Sequence, residues 1–557
     1  MITINNKFHL LVFILFIFVY SGFLFFGGFG PGDGFGDYQF VKNSNLGIID
    51  NFKIRIVELD QYSRPVSIFL NIFIHNMFGE KLFFYTFLNI FSWYFTIYTI
   101  YFCLNFFLKK TITKYFLLIG LFPFYSSSIF VEPYLVAAYH ASILLWSLSL
   151  YFSLKFSLNF DIHFKILSLF LFSLSLLTLE IVLPLIIVSI LLPYCLRNSI
   201  EQKKKLFDLK NIIIFCIPVL CISLFFLIYK LFLIKIFFSS DAVYGYSGIN
   251  LKSVLQGIYY FFSLLFETPI LLTKSILFLN FPKTVIIIIL VYFLNNQFFS
   301  KLSTFKFLKK INPTSKNIFY FAIFVSLAFN SLIFIVSSYP AVTYGFYNKM
   351  MVCSFITFSI FVSIFFIQKN SPLQKLISFI FIFLFVSSTE IQISNFVKSF
   401  ELRNLIIKKI SKELKNIKKN DNQVILFANV PHHFSKNYNN ESIFFTKWNL
   451  KSHLEIHNVK NLKEVNLVSY RHLNDKFYNP SHNIMFDLDK LKVNENYYYF
   501  EIEENLYDHK FFQFKNKDDV ILFFSKNKSA DINNHPLIFR EKLRLKLKEI
   551  IKDKLKK

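Results

Sequence analysis

From Phe8 to Ile393 the chain alternates long apolar runs with short polar stretches. Runs lie at Phe8–Phe29, Leu82–Leu108, Tyr115–Phe130, Tyr134–Leu154, Ile166–Leu177 and Ile181–Leu196. Others follow at Ile212–Tyr229, Val285–Phe299, Ile318–Val336, Met350–Ile367 and Leu376–Ile393. A helix rises about 1.5 Å per residue, so about 20 apolar residues cross the hydrocarbon core of a bilayer, and these runs reach or approach that length. They predict about 11 transmembrane helices, roughly 9 to 13. One further stretch, Ile258–Leu279, is interrupted by Glu267, Pro269 and Lys274. It is expected to lie in the outer interface or to re-enter the membrane, because charges and a proline disfavour a plain crossing. The first run follows Lys7 and ends in Gly and Pro without a small-residue cleavage pattern, which reads as a retained helix.

Beyond Ser394 the pattern changes to short apolar segments among charged residues. "DNQVILFANVP" (Asp421–Pro431), "ENYYYFEIEE" (Glu495–Glu504) and "DDVILFFSK" (Asp518–Lys526) predict strands, being rich in β-branched and aromatic residues. Asn395–Ile417 and Phe539–Lys557 predict helices. The expected fold is an all-α polytopic membrane bundle over 1–393, with an outer loop at 30–80, followed by a small α/β or α+β domain over 394–557. About 160 residues is an ordinary size for one such domain.

Composition agrees: 54% of residues are hydrophobic, 17% are charged and the mean hydropathy is +0.48, well outside the soluble range. The 79 Phe accompany an excess of Ile, Lys and Asn over Gly and Ala, a bias of AT-rich coding, so they do not by themselves mark a stacking surface. The net charge of +26 sits partly in loop clusters: Lys109, Lys110 and Lys114; Arg197 with Lys203, Lys204, Lys205 and Lys210; and Lys301, Lys306, Lys309, Lys310 and Lys316. Such clusters mark cytoplasmic loops rather than a nucleic-acid surface. Asp33, Asp37, Glu58, Asp60, Glu132 and Asp241 fall in the opposite loops, which places the N-terminus inside and the C-terminal domain outside. A long domain translocates largely regardless of its own charge. All five cysteines lie in apolar segments with no CxxC pair, so neither a disulfide framework nor a zinc site is expected.

The residue types that carry chemistry concentrate in the predicted outer loops. "GGFGPGDGFGDYQF" (Gly27–Phe40) follows the first apolar run and holds Asp33 and Asp37 among glycines that also suit turns. "GDGFGD" does not follow a strand, so it is no dinucleotide motif. Arg64-Pro65 opens an apolar segment ending at Phe78-Gly79, too short to span and expected to lie along the outer surface. Glu132 and Glu180 fall at predicted outer helix ends, where a carboxylate is costly unless it faces a cavity. His140 lies eight residues after Glu132, and Lys349 follows Tyr347 in the last outer loop. His432 and His433 lack any metal-ligand spacing.

In order along the chain, these segments resemble the GT-C superfamily of integral-membrane glycosyltransferases, which use lipid-phosphate-linked sugars. Gly36-Asp37-Tyr38 is similar to the acidic motif of that family's first outer loop, with Gly for its first acid, and Ser63-Arg64-Pro65 to its Gly-Arg-Pro segment. "FVEPYLVAAYHASILLWSLSLYF" (Phe130–Phe152) resembles its third-to-fourth helix hairpin. Glu180 in "SLLTLEIVLPLIIVSILLP" stands where a Ser-Lys-Glu triplet enters a helix, and Tyr347-Asn348-Lys349 stands where Arg-Tyr is frequent. The resemblance covers Phe8 to Ile393.

It implies sugar transfer from a polyprenyl-phosphate donor to a glycan, lipid or protein acceptor at the outer face of a bacterial cytoplasmic membrane. An inverting displacement needs one carboxylate to take the acceptor proton and a cation to steady the departing phosphate. Asp37 is the expected base, with Asp33 as its alternative, and Arg64 and Lys349 are expected on the donor phosphate. Glu132, Glu180, Tyr38, Tyr347 and His140 form the second tier of the pocket. Family members differ in their use of a divalent cation, so no cofactor is assigned. An O-antigen polymerase or ligase, or a transporter or lipid flippase, stands as the alternative. The former places its large outer loop between late helices, and the latter favours two related halves, for which the chain shows no internal repeat.

Overall fold

A computed structural model describes residues 6–26, 46–57, 64–79, 81–130, 133–201, 209–234, 236, 251–276, 280–299, 313–336, 341, 346–366 and 371–417. In the C-terminal part it describes 424–431, 447–456, 459, 462–468, 491, 495–502 and 508–526. The chain divides into two compact units, Met1–Asn404 with Phe434–Phe445, and Leu405–His433 with Thr446–Lys557.

The first unit is helical. Its early helices are α1 (Asn6–Phe26), α2 (Ile48–Val57), α3 (Pro65–Phe78), α4 (Leu82–Leu104), α5 (Lys110–Gly120), α6 (Pro133–Asn159), α7 (Ile162–Thr178) and α8 (Ile186–Ile200). They continue as α9 (Leu209–Phe215), α10 (Ile217–Ile228), α11 (Leu251–Phe262), α12 (Thr268–Ile276), α13 (Phe281–Phe299), α14 (Pro313–Phe329), α15 (Ser331–Val336), α16 (Val352–Phe366) and α17 (Pro372–Lys415). Among the described residues, seven helices are long and apolar enough to cross a membrane, or eight if α9 and α10, bent by 42°, make one span. Four shorter apolar helices, among them Pro65–Phe78 and Ile162–Thr178, accompany them. The unit is thus built as a multi-pass membrane bundle.

Aromatic residues lock the bundle. His9 on α1 meets Tyr98 on α4 at 3.0 Å, while Phe16 packs on Tyr94, so α1 and α4 run antiparallel. Near the other end of α1, Tyr20 donates to the carbonyl of Leu121 at 2.8 Å, and Phe23 packs on Phe396 and Phe400 of α17.

Several boundaries depart from the sequence pattern. Tyr115–Phe130 is not one helix: α5 ends at Gly120, and the chain turns through Pro123 into a 3-10 turn at Ser127–Phe130. Ile258–Leu279, expected at the interface, contains a helical course through α11, a π turn at Ser263–Glu267 and α12. Residues Ser253–Thr273 of it have the length and composition of a crossing. The hydroxyl of Tyr259 donates to Glu267, so the carboxylate that argues against a crossing is partnered about two turns away within the same helical course. The last predicted span and the helix predicted at Asn395–Ile417 are one 44-residue helix, because no proline or glycine intervenes to stop it. The two compact units part within that helix, at Asn404/Leu405, where the sequence pattern had put the change at 393/394.

The second unit is an α/β domain. Its strands are β1 (Val424–Asn429), β2 (Leu462–Leu467), β3 (Asn496–Ile502) and β4 (His509–Gln513), in the order β2-β1-β3-β4. β1 is parallel to both β2 and β3, and β4 is antiparallel to β3. Helices α18 (Lys447–Ile456) and α19 (Lys517–Lys526) join it. β1 is buried at every position, as a strand covered on both faces must be, and its continuous apolar run reads accordingly. The expected strand "DDVILFFSK" is instead α19. Asn516 accepts from the backbone N–H of Asp519, Asp518 and Asp519 occupy the first turn, and Val520 and Phe524, four residues apart, pack on Phe427 and Tyr499. The predicted helix Phe539–Lys557 lies outside the described residues.

Candidate functional site

Three breaks in regular helix bring charged side chains together in the first unit. Arg64 is the residue before α3, whose first turn begins with Pro65; proline suits that position because its missing N–H has no helical partner there. α3 ends at Gly79, where a φ of 59° calls for glycine. Glu180 opens a 3-10 turn, Glu180–Leu185, between α7 and α8, after Leu179 has taken an extended conformation and with Pro184 inside the turn. Lys230 lies in a π turn, Tyr229–Leu233, that prolongs α10. Irregular backbone at membrane depth is tolerated where it is enclosed by protein or lines a cavity, and π turns recur at functional sites.

Glu180 is the hub. Its Oε1 accepts from Nη2 of Arg64 at 2.8 Å, and its Oε2 accepts from Nζ of Lys230 at 2.6 Å and from Nε of Arg64 at 3.4 Å. Side-chain exposure rises from 2% at Lys230 through 21% at Glu180 to 32% at Arg64, so the group is closed behind Lys230 and open towards Arg64. Arg64 and Lys230 thus share the one carboxylate of Glu180. Such a group suits an anion approaching from the Arg64 side, where guanidinium geometry matches carboxylate or phosphate oxygens.

The beginning of α6 ties other candidates to this neighbourhood. Ser142 donates to the carbonyl of Leu179, the residue before Glu180, at 3.1 Å. His140 is buried, with Nε2 3.2 Å from the carbonyl of Ile129 and its ring against Phe130 and Trp93. Tyr139 donates to Sδ of Met350 at 3.1 Å, and Nζ of the largely buried Lys349 lies 5.8 Å from the Tyr139 ring. Residues 139, 140 and 142 span a rise of about 4.5 Å on one helix, which gathers Lys349, His140 and the extended residue before Glu180 around a single turn of α6.

The structure therefore joins Arg64 and Glu180 directly and attaches Lys349 and His140 to the same turn of α6. Lys349, expected on the donor phosphate with Arg64, has its Nζ 5.8 Å from the Tyr139 ring. Tyr347 belongs to the 3-10 turn Phe346–Met351. Asp33, Asp37, Tyr38 and Glu132 lie outside the described residues, as do His432 and His433. Lys230 is the residue that sequence reasoning missed. Its signal is a lysine with apolar residues on both sides in "FFLIYKLFLIK", although the apolar run Ile212–Tyr229 stops just short of it. Among the described residues no three His, Cys, Asp or Glu side chains gather as a metal site.

Compared with known proteins, the chain matches no family model and no curated protein.

Proposed function

We propose that the chain is a membrane glycosyltransferase of the GT-C type, moving a sugar from a polyprenyl-phosphate donor to an acceptor hydroxyl at the outer face of a bacterial cytoplasmic membrane. In this reading the bundle makes about 11 crossings, with the N-terminus inside and the C-terminal unit outside. The observation that carries it is the Arg64–Glu180–Lys230 group, two cations on one carboxylate brought together by three helix breaks in an apolar bundle. A buried lysine in such a bundle is expensive and points to a function for its charge.

The donor phosphate sits against Arg64, with Lys230 behind it reinforcing the field. Asp37, assigned by its place in the first outer loop, takes the proton of the acceptor hydroxyl. As that oxygen bonds to the anomeric carbon, the bond from the anomeric carbon to the phosphate oxygen breaks, and the electron pair leaves with polyprenyl phosphate. Glu180 holds the two cations apart and in place. The sequence resemblance supports the base, and the charge group supports the phosphate site.

The test is transfer of label from a polyprenyl-phosphate sugar by purified protein in nanodiscs. Asp37→Asn should remain membrane-inserted while transfer falls by about 10²-fold or more. Wild-type protein that extends a lipid-linked glycan without using the monosaccharide donor, or that moves lipid without chemistry, would sink the reading.

A further inference from the structure

The C-terminal unit has a second constellation, unrelated to the charge group. In its sheet the chain passes from β1 to β2 on one side and then returns to place β3 on the other, so β1 and β3 are neighbours at the point where strand order reverses. The carboxyl ends of such strands are where open α/β sheets bind ligands, because connections leaving in opposite directions open a crevice between them. Asn429 and Glu501 are register partners at that end. Nδ2 of Asn429 lies 3.0 Å from Oε1 of Glu501 and 3.0 Å from the hydroxyl of Tyr499, which in turn donates to Oε2 of Glu501 at 3.2 Å. Asn429 and Tyr499 are fully buried, while Glu501 is half-buried.

The trio fixes a carboxylate and leaves it capacity. Each oxygen of Glu501 accepts one bond within the trio, and a carboxylate offers about four acceptor positions in all. Among the described residues no Lys or Arg forms an ion pair with it. A ligand meeting Glu501 therefore has to bring donors, and two adjacent hydroxyls match the two oxygens of one carboxylate. Among the described residues that follow β1, Val430 and Pro431, there is no glycine, and Pro431 has no N–H.

We propose that the C-terminal unit binds a sugar ring at this point through a vicinal diol on Glu501, oriented by Asn429 and Tyr499. This deepens the transferase reading, on which it rests for its role: the acceptor is a glycan recognised by the C-terminal unit.

The experiment uses full-length protein in nanodiscs free of sugar detergents, with the methyl pyranosides of glucose, galactose, mannose and N-acetylglucosamine as probes. Saturation-transfer NMR should show ring-proton signals for at least one of them with wild-type protein. Glu501→Ala should abolish the signals, and Glu501→Gln, which keeps the side-chain volume, should weaken Kd about tenfold, the worth of one good hydrogen bond. An unchanged unfolding midpoint of Glu501→Gln separates lost binding from lost fold. No signal with wild-type protein, or equal signal in both variants, overturns the inference. So does binding of uridine diphosphate without the pyranosides. In the transfer assay Glu501→Gln should raise KM for a glycan acceptor and leave KM for the donor unchanged; equal effects on both overturn the acceptor role. Absence of all transfer by wild-type protein would refute the transferase reading while leaving sugar binding at Glu501 to stand or fall on its own signals.

Discussion

Replacing Glu180 by glutamine tests whether one carboxylate holds two cations. Two unit charges about 4 Å apart attract by about 4 kcal/mol at an effective dielectric near 20, and Glu180 makes two such contacts. Arg64, with 32% of its side chain exposed, recovers most of its loss from solvent. Lys230, 2% exposed, cannot, and stripping a partner from a buried charge costs about 3–5 kcal/mol. Glu180→Gln should therefore lower unfolding stability by about that amount. Lys230→Met should cost much less, about 1 kcal/mol, since Glu180 keeps Arg64 and the methionine fills a similar volume in apolar surroundings. The double variant should recover most of the loss, giving a coupling of at least about 2 kcal/mol between the two positions. Denaturant titration in mixed micelles, followed by tryptophan fluorescence, measures all four corners of the cycle. If the two single changes add within about 0.5 kcal/mol, Glu180 does not hold Lys230, and the proposed anion site loses its inner wall.

Two further outcomes probe packing elsewhere in the first unit. A methyl group on Gly257 would lie 2.3 Å from Cγ1 and 2.8 Å from Cδ1 of Ile335, so Gly257→Ala should destabilise the bundle by about 1–3 kcal/mol. Adding Ile335→Ala should relieve that clash, seen as a smaller penalty for Gly257→Ala in the Ile335→Ala background in a thermal shift. Lys283 forms an ion pair with Glu390, whose Oε1 also accepts from Ser394 at 2.7 Å; Glu390 is 5% exposed at its side chain and Lys283 is 44% exposed. Lys283→Ala should therefore unfold at a clearly lower denaturant concentration than Glu390→Gln, because the former strips the cation from a buried carboxylate while the latter removes the buried charge and leaves Lys283 to solvent; equal midpoints would contradict this.

What was legible in the sequence follows from the range of the interactions involved. Apolar runs announced the helices because the bilayer imposes a length on each one separately, and Arg64-Pro65 announced α3 because proline at the first turn is a local rule. The run in "DDVILFFSK" was ambiguous for the same reason. Five apolar residues in succession satisfy a strand or one face of a helix equally, and the decision lay outside them, in Asn516, which caps the helix, and the two aspartates in its first turn.

The charge group shows the limit more sharply. Arg64 and Glu180 were each visible as a costly charge near a membrane boundary, yet nothing local says that residues 116 positions apart share a hydrogen bond. Lys230 was hidden by the rule that found the others, since a lysine after a long apolar run reads as the end of a span. It is the π turn that carries Lys230 into the bundle, and a π turn has no composition of its own. An ionisable residue followed by a further apolar stretch is the better signal, because a charge that ended a span would be followed by polar chain, and one that is not must find its partner within the protein.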